Sequence, residues 1–124
     1  MLWFAPLIPL TQSGVREGMA LIERILVRHG FDALLGMTIR NSRAGIATIP
    51  LIFPKTQENA QRAHACYTEL VVACTKAGMP PYRLNIESMA TLADLHETGA
   101  QAQLHARLKA ALDPDDVIAP GRYS

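Results

Sequence analysis

Tyr82 and Arg83 stand side by side in residues 81–85, PYRLN, just after the punctuation of Gly78, Met79 and Pro80. A phenol next to a guanidinium offers two kinds of hydrogen-bond donor to one anionic oxygen, and the guanidinium carries a standing charge. On a regular strand, however, neighbouring side chains point to opposite faces. Pattern alone therefore reads the pair as a half-buried tyrosine and an exposed arginine, the latter within reach of Glu87.

The remaining reactive groups give weaker signals. His29, His64, His96 and His105 are scattered, and none pairs with another histidine or a cysteine at metal-ligand spacing, so no metal site is expected. His64 and Cys66 are two apart on a helical stretch and face different ways, a surface imidazole and a core thiol. There is no GxSxG motif and no cysteine in a basic setting; GxGxxG and GxxxxGK[ST] are missing too. Glu58, Glu69, Glu87, Asp94, Glu97 and the turn at 113–116 read as solvated faces and caps. The ending DPDDVIAPGR is, by itself, a helix end followed by a turn.

Composition narrows the class. Formal charge is +1, from twelve basic and eleven acidic residues spread along the chain, so there is no basic face for nucleic acid. The 124 residues amount to one domain, 49% hydrophobic and only 19% charged, a balance that can lean on a partner surface. Cys66 and Cys74 lie eight apart on one expected helix, about 12 Å along its axis, too far to bridge. Reduced, buried thiols in a cytoplasmic protein are the simplest account. No apolar run approaches a membrane span, and MLWFAPLIPL lacks the basic start of a signal peptide.

Six elements emerge before residue 87. LWFAPLI at 2–8 is a strand in which Pro6 marks an edge or a bulge. TQSG caps a helix with its apolar stripe at Val15, Met19, Ile22, Ile25 and Leu26, ended by Gly30. Residues 33–40 and 45–53 form a hairpin through NSRAG, the second strand demoted to an edge or a bulge by Pro50. TQENA caps a long helix to about Ala77, with Ala60, Ala63, Tyr67, Leu70, Val71 and Cys74 on one face and Gly78 as its stop. Residues 82–86 are a fourth strand. The order is βαββαβ, an α+β, ferredoxin-like antiparallel sheet with its helices on one face. Short helices near 87–96 and 100–112 follow, the latter striped by Leu104, Leu108 and Leu112 and closed by Pro114. The expected division is 1–86 for the ferredoxin-like part and 87–124 for a helical extension.

Taken together, LWFAP at the start, Tyr82-Arg83 with Asn85 behind them, the ending ALDPDDVIAPGR at 111–122 and the βαββαβ order resemble one family. It is the C-terminal cap, or substrate, domain of the vanillyl-alcohol oxidase and 4-cresol dehydrogenase (p-cresol methylhydroxylase) flavoproteins. The resemblance covers essentially the whole chain. It implies FAD held by a separate N-terminal domain, and hydride removal from the benzylic carbon of a para-substituted phenol bound as phenolate. A quinone methide would form, and water would add to it or the side chain would rearrange. By the resemblance, Tyr82 and Arg83 match the phenolate-binding pair, and Arg122 matches the cation near the flavin N1 and C2 carbonyl. For both residues of the pair to reach one oxygen, the backbone after Pro80-Pro81 has to be irregular or at a strand end.

The departures are equally informative. Met1 stands where the vanillyl-alcohol oxidase branch carries the histidine of its covalent flavin bond. Where relatives place polar residues beside the substrate, this chain offers Ile46, Ala47 and Pro50, with Gly36 in the preceding strand. The substrate's side-chain end is accordingly expected to be apolar. The FAD domain and the first part of the cap lie outside this sequence, so the chain reads as a C-terminal piece: a truncated or mis-called reading frame, an engineered fragment, or one part of a split enzyme. Alone it is expected to be colourless and to self-associate through the apolar surface that the missing domain would cover. The electron acceptor, oxygen or a cytochrome c, stays open. A different class also stays open: a free-standing, non-catalytic ferredoxin-like binding or oligomerisation module.

Overall fold

The computed structural model describes residues 1–84, 88–89 and 99–120, apart from the side chains of residues 101 and 102. It divides into two compact units, Met1–Arg83 and Leu84–Ser124.

The first unit is an antiparallel sheet with two helices. Strands β1 (Leu2–Phe4) and β2 (Leu7–Pro9) both pair with β4 (Ala44–Leu51), and β3 (Gly36–Ile39) pairs with β4 from the other side. Leu2 lies opposite Leu51, Phe4 opposite Ile49, and Leu7 opposite Ile46. The residue numbers of each pair have the same sum throughout, so β1 and β2 are one continuous strand in register. Pro6 interrupts it without a bulge, and its carbonyl still accepts from the Ala47 N–H at 3.0 Å.

Pro50 does not make β4 an edge strand, as its sequence suggested; β4 is central. The Ala47 N–H faces the β1–β2 side, so the even-numbered amides of β4 face β3. Pairing with β3 ends where Gly36 meets Thr48. The missing N–H of Pro50 thus falls where there is no partner strand, and the ladder loses nothing there.

Helices α1 (Gln12–Arg28) and α2 (Gln57–Lys76) cover one face of the sheet. Both use the same devices at both ends. Thr11 accepts from the Gly14 N–H at 3.0 Å and Thr56 from the Asn59 N–H at 3.3 Å, satisfying orphan donors of the first turn. At the C-termini, Gly30 (φ 70°) and Gly78 (φ 76°) take the left-handed position. Phe31 N–H then bonds the Leu26 carbonyl and Met79 N–H the Cys74 carbonyl, each at 2.9 or 2.8 Å. These are paired Schellman closures, and Phe31 and Met79 are both buried beneath them.

The core lies between the helices and the odd-numbered side chains of β4. Ala47, Ile49 and Leu51 are buried together with Phe4, Ile8, Ile22, Ile25, Leu26, Ala63, Leu70 and Val71. Phe4 meets Tyr67 edge-on, with ring centroids 5.9 Å apart. Each fully buried aliphatic side chain contributes roughly 1.5–3 kcal/mol. Cys66 and Cys74 are free and buried, and burial pushes their thiols up to about 11 and about 12. Such thiols are inert core groups at neutral pH.

Two expected strands are shorter than the sequence implied. The run at 33–40 forms a strand only from Gly36 to Ile39, after a tight turn in which the Leu34 N–H bonds the Asp32 carbonyl. Of the strand expected at 82–86, residues 82–84 are not strand and residues 85–86 lie outside the described residues; just before it, Pro81 forms a single antiparallel bridge with Pro6. The Leu7 N–H to Pro80 carbonyl and Tyr82 N–H to Ala5 carbonyl bonds hold this bridge, Pro80 has no N–H to return, and the chain bends at Tyr82. The bridge lies beside the β1–β2 strand, giving the spatial order Pro81 segment, β1–β2, β4, β3.

In the second unit, α3 (Ala100–Leu112) matches the expected helix, ending at Asp113 with Pro114 next. Leu104, Leu108 and Leu112 are exposed. Of the helix expected near 87–96, residues 88–89 are helical and the others lie outside the described residues. No helix among the described residues is long and apolar enough to cross a membrane.

Candidate functional site

Helices cover only one face of the sheet. The opposite face carries Trp3, Ala5 and Leu7 from the first strand and Ile46, Thr48 and Pro50 from β4, none of them buried. Trp3 is 56% exposed. The strict alternation along β4, buried at odd and half-buried at even positions, fixes which side chains belong to each face.

The route to Tyr82 is set by the end of α2. The Schellman closure at Gly78 buries Met79, the Pro80 carbonyl accepts from the Leu7 N–H at 2.9 Å, and the Tyr82 N–H donates to the Ala5 carbonyl at 2.6 Å. Tyr82 is thereby anchored opposite Ala5 at the margin of the open face. The chain bends at Tyr82, and Arg83 does not continue a strand. Its guanidinium carbon sits 5.3 Å from the centroid of the Tyr82 ring. Side chains that strict alternation would separate are brought into contact, and both residues are exposed. At that distance the guanidinium makes a cation–π contact with the ring.

The registers of three strand pairs connect Tyr82 to the far edge of the sheet. Tyr82 is tied to Ala5, Ala5 falls opposite Thr48 in the continuous first register, and Thr48 pairs with Gly36. These four residues form one row across the open face. Trp3 and Pro50 flank it on one side, Leu7 and Ile46 on the other. Thr48 was not singled out from the sequence. Conversely, Ala47, expected beside a substrate, is fully buried on the helix face. Ile46, Pro50 and Gly36 do belong to the open side of the sheet.

The other polar clusters lie elsewhere. Glu69 of α2 accepts hydrogen bonds from Arg28 and, at 2.7 Å, from His29 Nε2 at the end of α1. The His29 bond, assisted by Arg28 and opposed by partial desolvation, lowers the Glu69 pKa. This cluster ties the two helices together. His64 and His105 are exposed. Among the described residues no group of histidine, cysteine or carboxylate side chains could hold a metal ion.

In the second unit, Lys109 reaches Asp113, Asp116 (2.8 Å) and the Ile118 carbonyl (2.6 Å). Asp113, buried, accepts from the Val117 and Ile118 amides at 3.0 and 2.9 Å. The turn after α3 is thus tied off at two points. Asp116 and Ala119 adopt left-handed φ values of 49° within it. Arg122, Asn85 and Glu87 lie outside the described residues.

No family model matches the chain. It is 30% identical over 122 residues to the 4-cresol dehydrogenase (hydroxylating) flavoprotein subunit of Pseudomonas putida, an alignment that takes in 98% of this chain and 23% of that protein. It is 29% identical over 123 residues to the 1'-carboxy-chondrochloren decarboxylase of Chondromyces crocatus, covering 98% and 22% respectively. The crystal structure of p-cresol methylhydroxylase with substrate bound matches with a TM-score of 0.87 and 29% identity, over 98% of this chain and 24% of that one. The chain spans about a quarter of the length of each of these relatives. The likeness read from LWFAP, Tyr82-Arg83 and the APGR ending therefore holds at the level of homology and of fold.

Proposed function

From the homology of this chain to a segment of the 4-cresol dehydrogenase flavoprotein subunit, we propose that it is the substrate-facing cap segment of an FAD-linked oxidoreductase acting on para-substituted phenols. The observation that carries this reading is the contact between Tyr82 and Arg83 at the margin of an open sheet face. The remainder of the enzyme, in the same polypeptide or another, would close over that face and hold FAD. The apolar open face with exposed Trp3 suits a planar ring system. Arg122 is the residue of this chain that would approach the flavin, in the role the resemblance gives it.

FAD, when bound, supplies the two-electron acceptor for a hydride. The residues of this chain act on the other reactant. Arg83 and the Tyr82 hydroxyl hold the phenolic oxygen as phenolate, its proton having left to water. A permanent cation and a donor fork aimed at one oxygen stabilise that charge best where water is excluded. Trp3, Leu7, Ile46 and Pro50 provide the apolar walls that exclude it. With the oxygen charged, the ring pushes electrons toward the para carbon. The benzylic C–H bond then breaks with both electrons leaving as hydride, and the quinone methide that remains takes up water. The electrons leave the enzyme to oxygen or to a cytochrome c.

The test is anaerobic mixing of the FAD-loaded protein with a para-alkylphenol while the flavin absorbance is followed. Bleaching with hydroxylated or dehydrogenated product supports the reading. An unchanged flavin spectrum with saturating 4-alkylphenols, under conditions where dithionite reduces it, refutes it.

A further inference from the structure

Among the described residues no strand lies beyond β3, and all four of its residues are exposed. Its pairing with β4 keeps one register from Gly36 opposite Thr48 to Ile39 opposite Gly45, and the Arg40 N–H carries it on to the Ala44 carbonyl at 3.0 Å. Even-numbered residues therefore bond inward, and the N–H and C=O groups of Met37 and Ile39 point away from the sheet. Such an edge is usually blunted by a charge, a proline, a bulge or a covering element. The strand GMTI carries no charge and no proline, and its unbroken register leaves no bulge. Met37 lies on the helix side over Gly45, where a Cβ would come 3.3 Å from its Sδ. Ile39 shares that side and is 71% exposed, because α2 and α1 pack on β1 and β2.

This edge is complementary to itself. With a twofold axis at Thr38, Met37 of each copy falls opposite Ile39 of the other, and both outward-facing residues of each strand exchange N–H and C=O bonds. The same register gathers two methionines and two isoleucines on the helix side. On the open side it sets Thr38 against Thr38, a favourable cross-strand pair. Arg40 falls opposite Gly36, where no side chain obstructs it. Antiparallel order also brings the Arg40 end of each strand beside the Asp32 end of the other, whereas parallel order would put the two arginines together. With a formal charge of +1 per chain, the copies repel little.

We propose that β3 is an interface between two copies of this chain, paired antiparallel about Thr38 into one sheet that runs through both. The contact uses the edge of the sheet and leaves the open face with Tyr82 and Arg83 uncovered, so it does not depend on the phenol-oxidising reading.

Sedimentation equilibrium of the chain at about 0.1 mM, a concentration suited to a small interface, should give twice the mass of one copy. Ile39→Lys, at an exposed side chain, should return the mass of one copy with an unchanged far-UV circular dichroism spectrum. Thr38→Cys should form a disulfide-linked dimer in oxidised glutathione, because Cα atoms across a non-hydrogen-bonded pair lie about 4.5 Å apart. Met37→Cys should not, since its two copies are diagonal neighbours about 7–8 Å apart. The native Cys66 and Cys74 are buried and do not interfere. A single-copy mass at that concentration overturns the inference. So does a dimer that survives Ile39→Lys, or one that cross-links no better at Thr38 than at Met37. Slow amide exchange at Met37 and Ile39 in a single-copy chain would instead assign the edge to another segment of the same chain.

Discussion

Arg83 lies against the ring of Tyr82, its guanidinium carbon 5.3 Å from the ring centroid, although the two are sequence neighbours that a strand would point apart. The contact exists because the ladder stops at the Pro6–Pro81 bridge and the chain bends at Tyr82. In the FAD-loaded protein, Arg83→Ala is expected to lower kcat/KM for a para-alkylphenol by about a hundredfold or more, as for loss of a donor aimed at developing charge. Arg83→Lys should recover only part, since an ammonium neither stacks on the ring nor forks. Flavin content, measured by absorbance after denaturation, should be unchanged in both. Activity within a few-fold of the parent would remove Arg83 from the site.

Much of this arrangement is legible in the chain itself. Thr11 and Thr56 before the helices, and Gly30 and Gly78 after them, announce both helices to within a residue or two. The stripes through Ile22, Ile25 and Leu26, and through Tyr67, Leu70 and Cys74, name the core. The facing of β4 was harder to read. Gly45, Ala47, Ile49 and Leu51 point to the helices, while Ile46, Thr48 and Pro50 point away, so both faces are apolar and alternation alone cannot say which is wet. Ala47 was misplaced for that reason and Thr48 overlooked. Pro50 misled similarly, because the harmlessness of a missing N–H depends on where β3 stops. Register is a tertiary property, and it decided the site.

Two glycines separate backbone strain from crowding. A Cβ on Gly78 would meet nothing within 4 Å, yet its φ is 76°. Gly78→Ala should therefore cost about 1–2 kcal/mol in chemical denaturation through backbone strain alone. At Gly18 the φ is ordinary, but a Cβ would come 2.7 Å from Met79 Sδ and 3.1 Å from Ile8 Cδ1. Gly18→Val should cost about 1–3 kcal/mol by overpacking. Because the nearest obstacle is the flexible end of Met79, combining it with Met79→Ala should cost less than the sum of the two changes. Strict additivity would show that α1 yields there by some other movement.

Glu69 gives the fold an acid-sensitive tie between α1 and α2. Hydrogen bonding from His29 and the Arg28 charge hold its folded pKa below the ordinary 4.5. A carboxyl depressed on folding adds stability above its unfolded pKa and forfeits it as pH falls through the folded value. Between neutral pH and about 5 that contribution is constant; below 4.5 it declines. Glu69→Gln should thus lower the midpoint of urea unfolding near neutrality and flatten its fall below pH 4.5. The effect is expected to be modest, because the pair is partly exposed and screened by solvent. Parallel pH profiles for parent and variant would mean that the carboxyl is as free in the folded chain as in the unfolded one.

The turn after α3 is held by Asp113, which receives the Val117 and Ile118 amides while Lys109 spans Asp113, Asp116 and the Ile118 carbonyl. Two left-handed residues, Asp116 and Ala119, lie in this segment and are unfavourable unless such bonds over-determine them. Asp113→Asn keeps the shape but loses the charge and one acceptor oxygen. Amide hydrogen exchange at Val117 and Ile118 should then quicken, with α3 amides nearer Ala100 little affected. Lys109→Met should quicken the same two amides, since it removes the cation that ties Asp113 and Asp116 to the Ile118 carbonyl. Acid should mimic both changes, but only below the usual carboxylate range, because a depressed pKa keeps Asp113 charged to lower pH. Exchange at Val117 and Ile118 that ignores all three perturbations would show that the turn is set by Pro114 and the backbone rather than by this carboxylate.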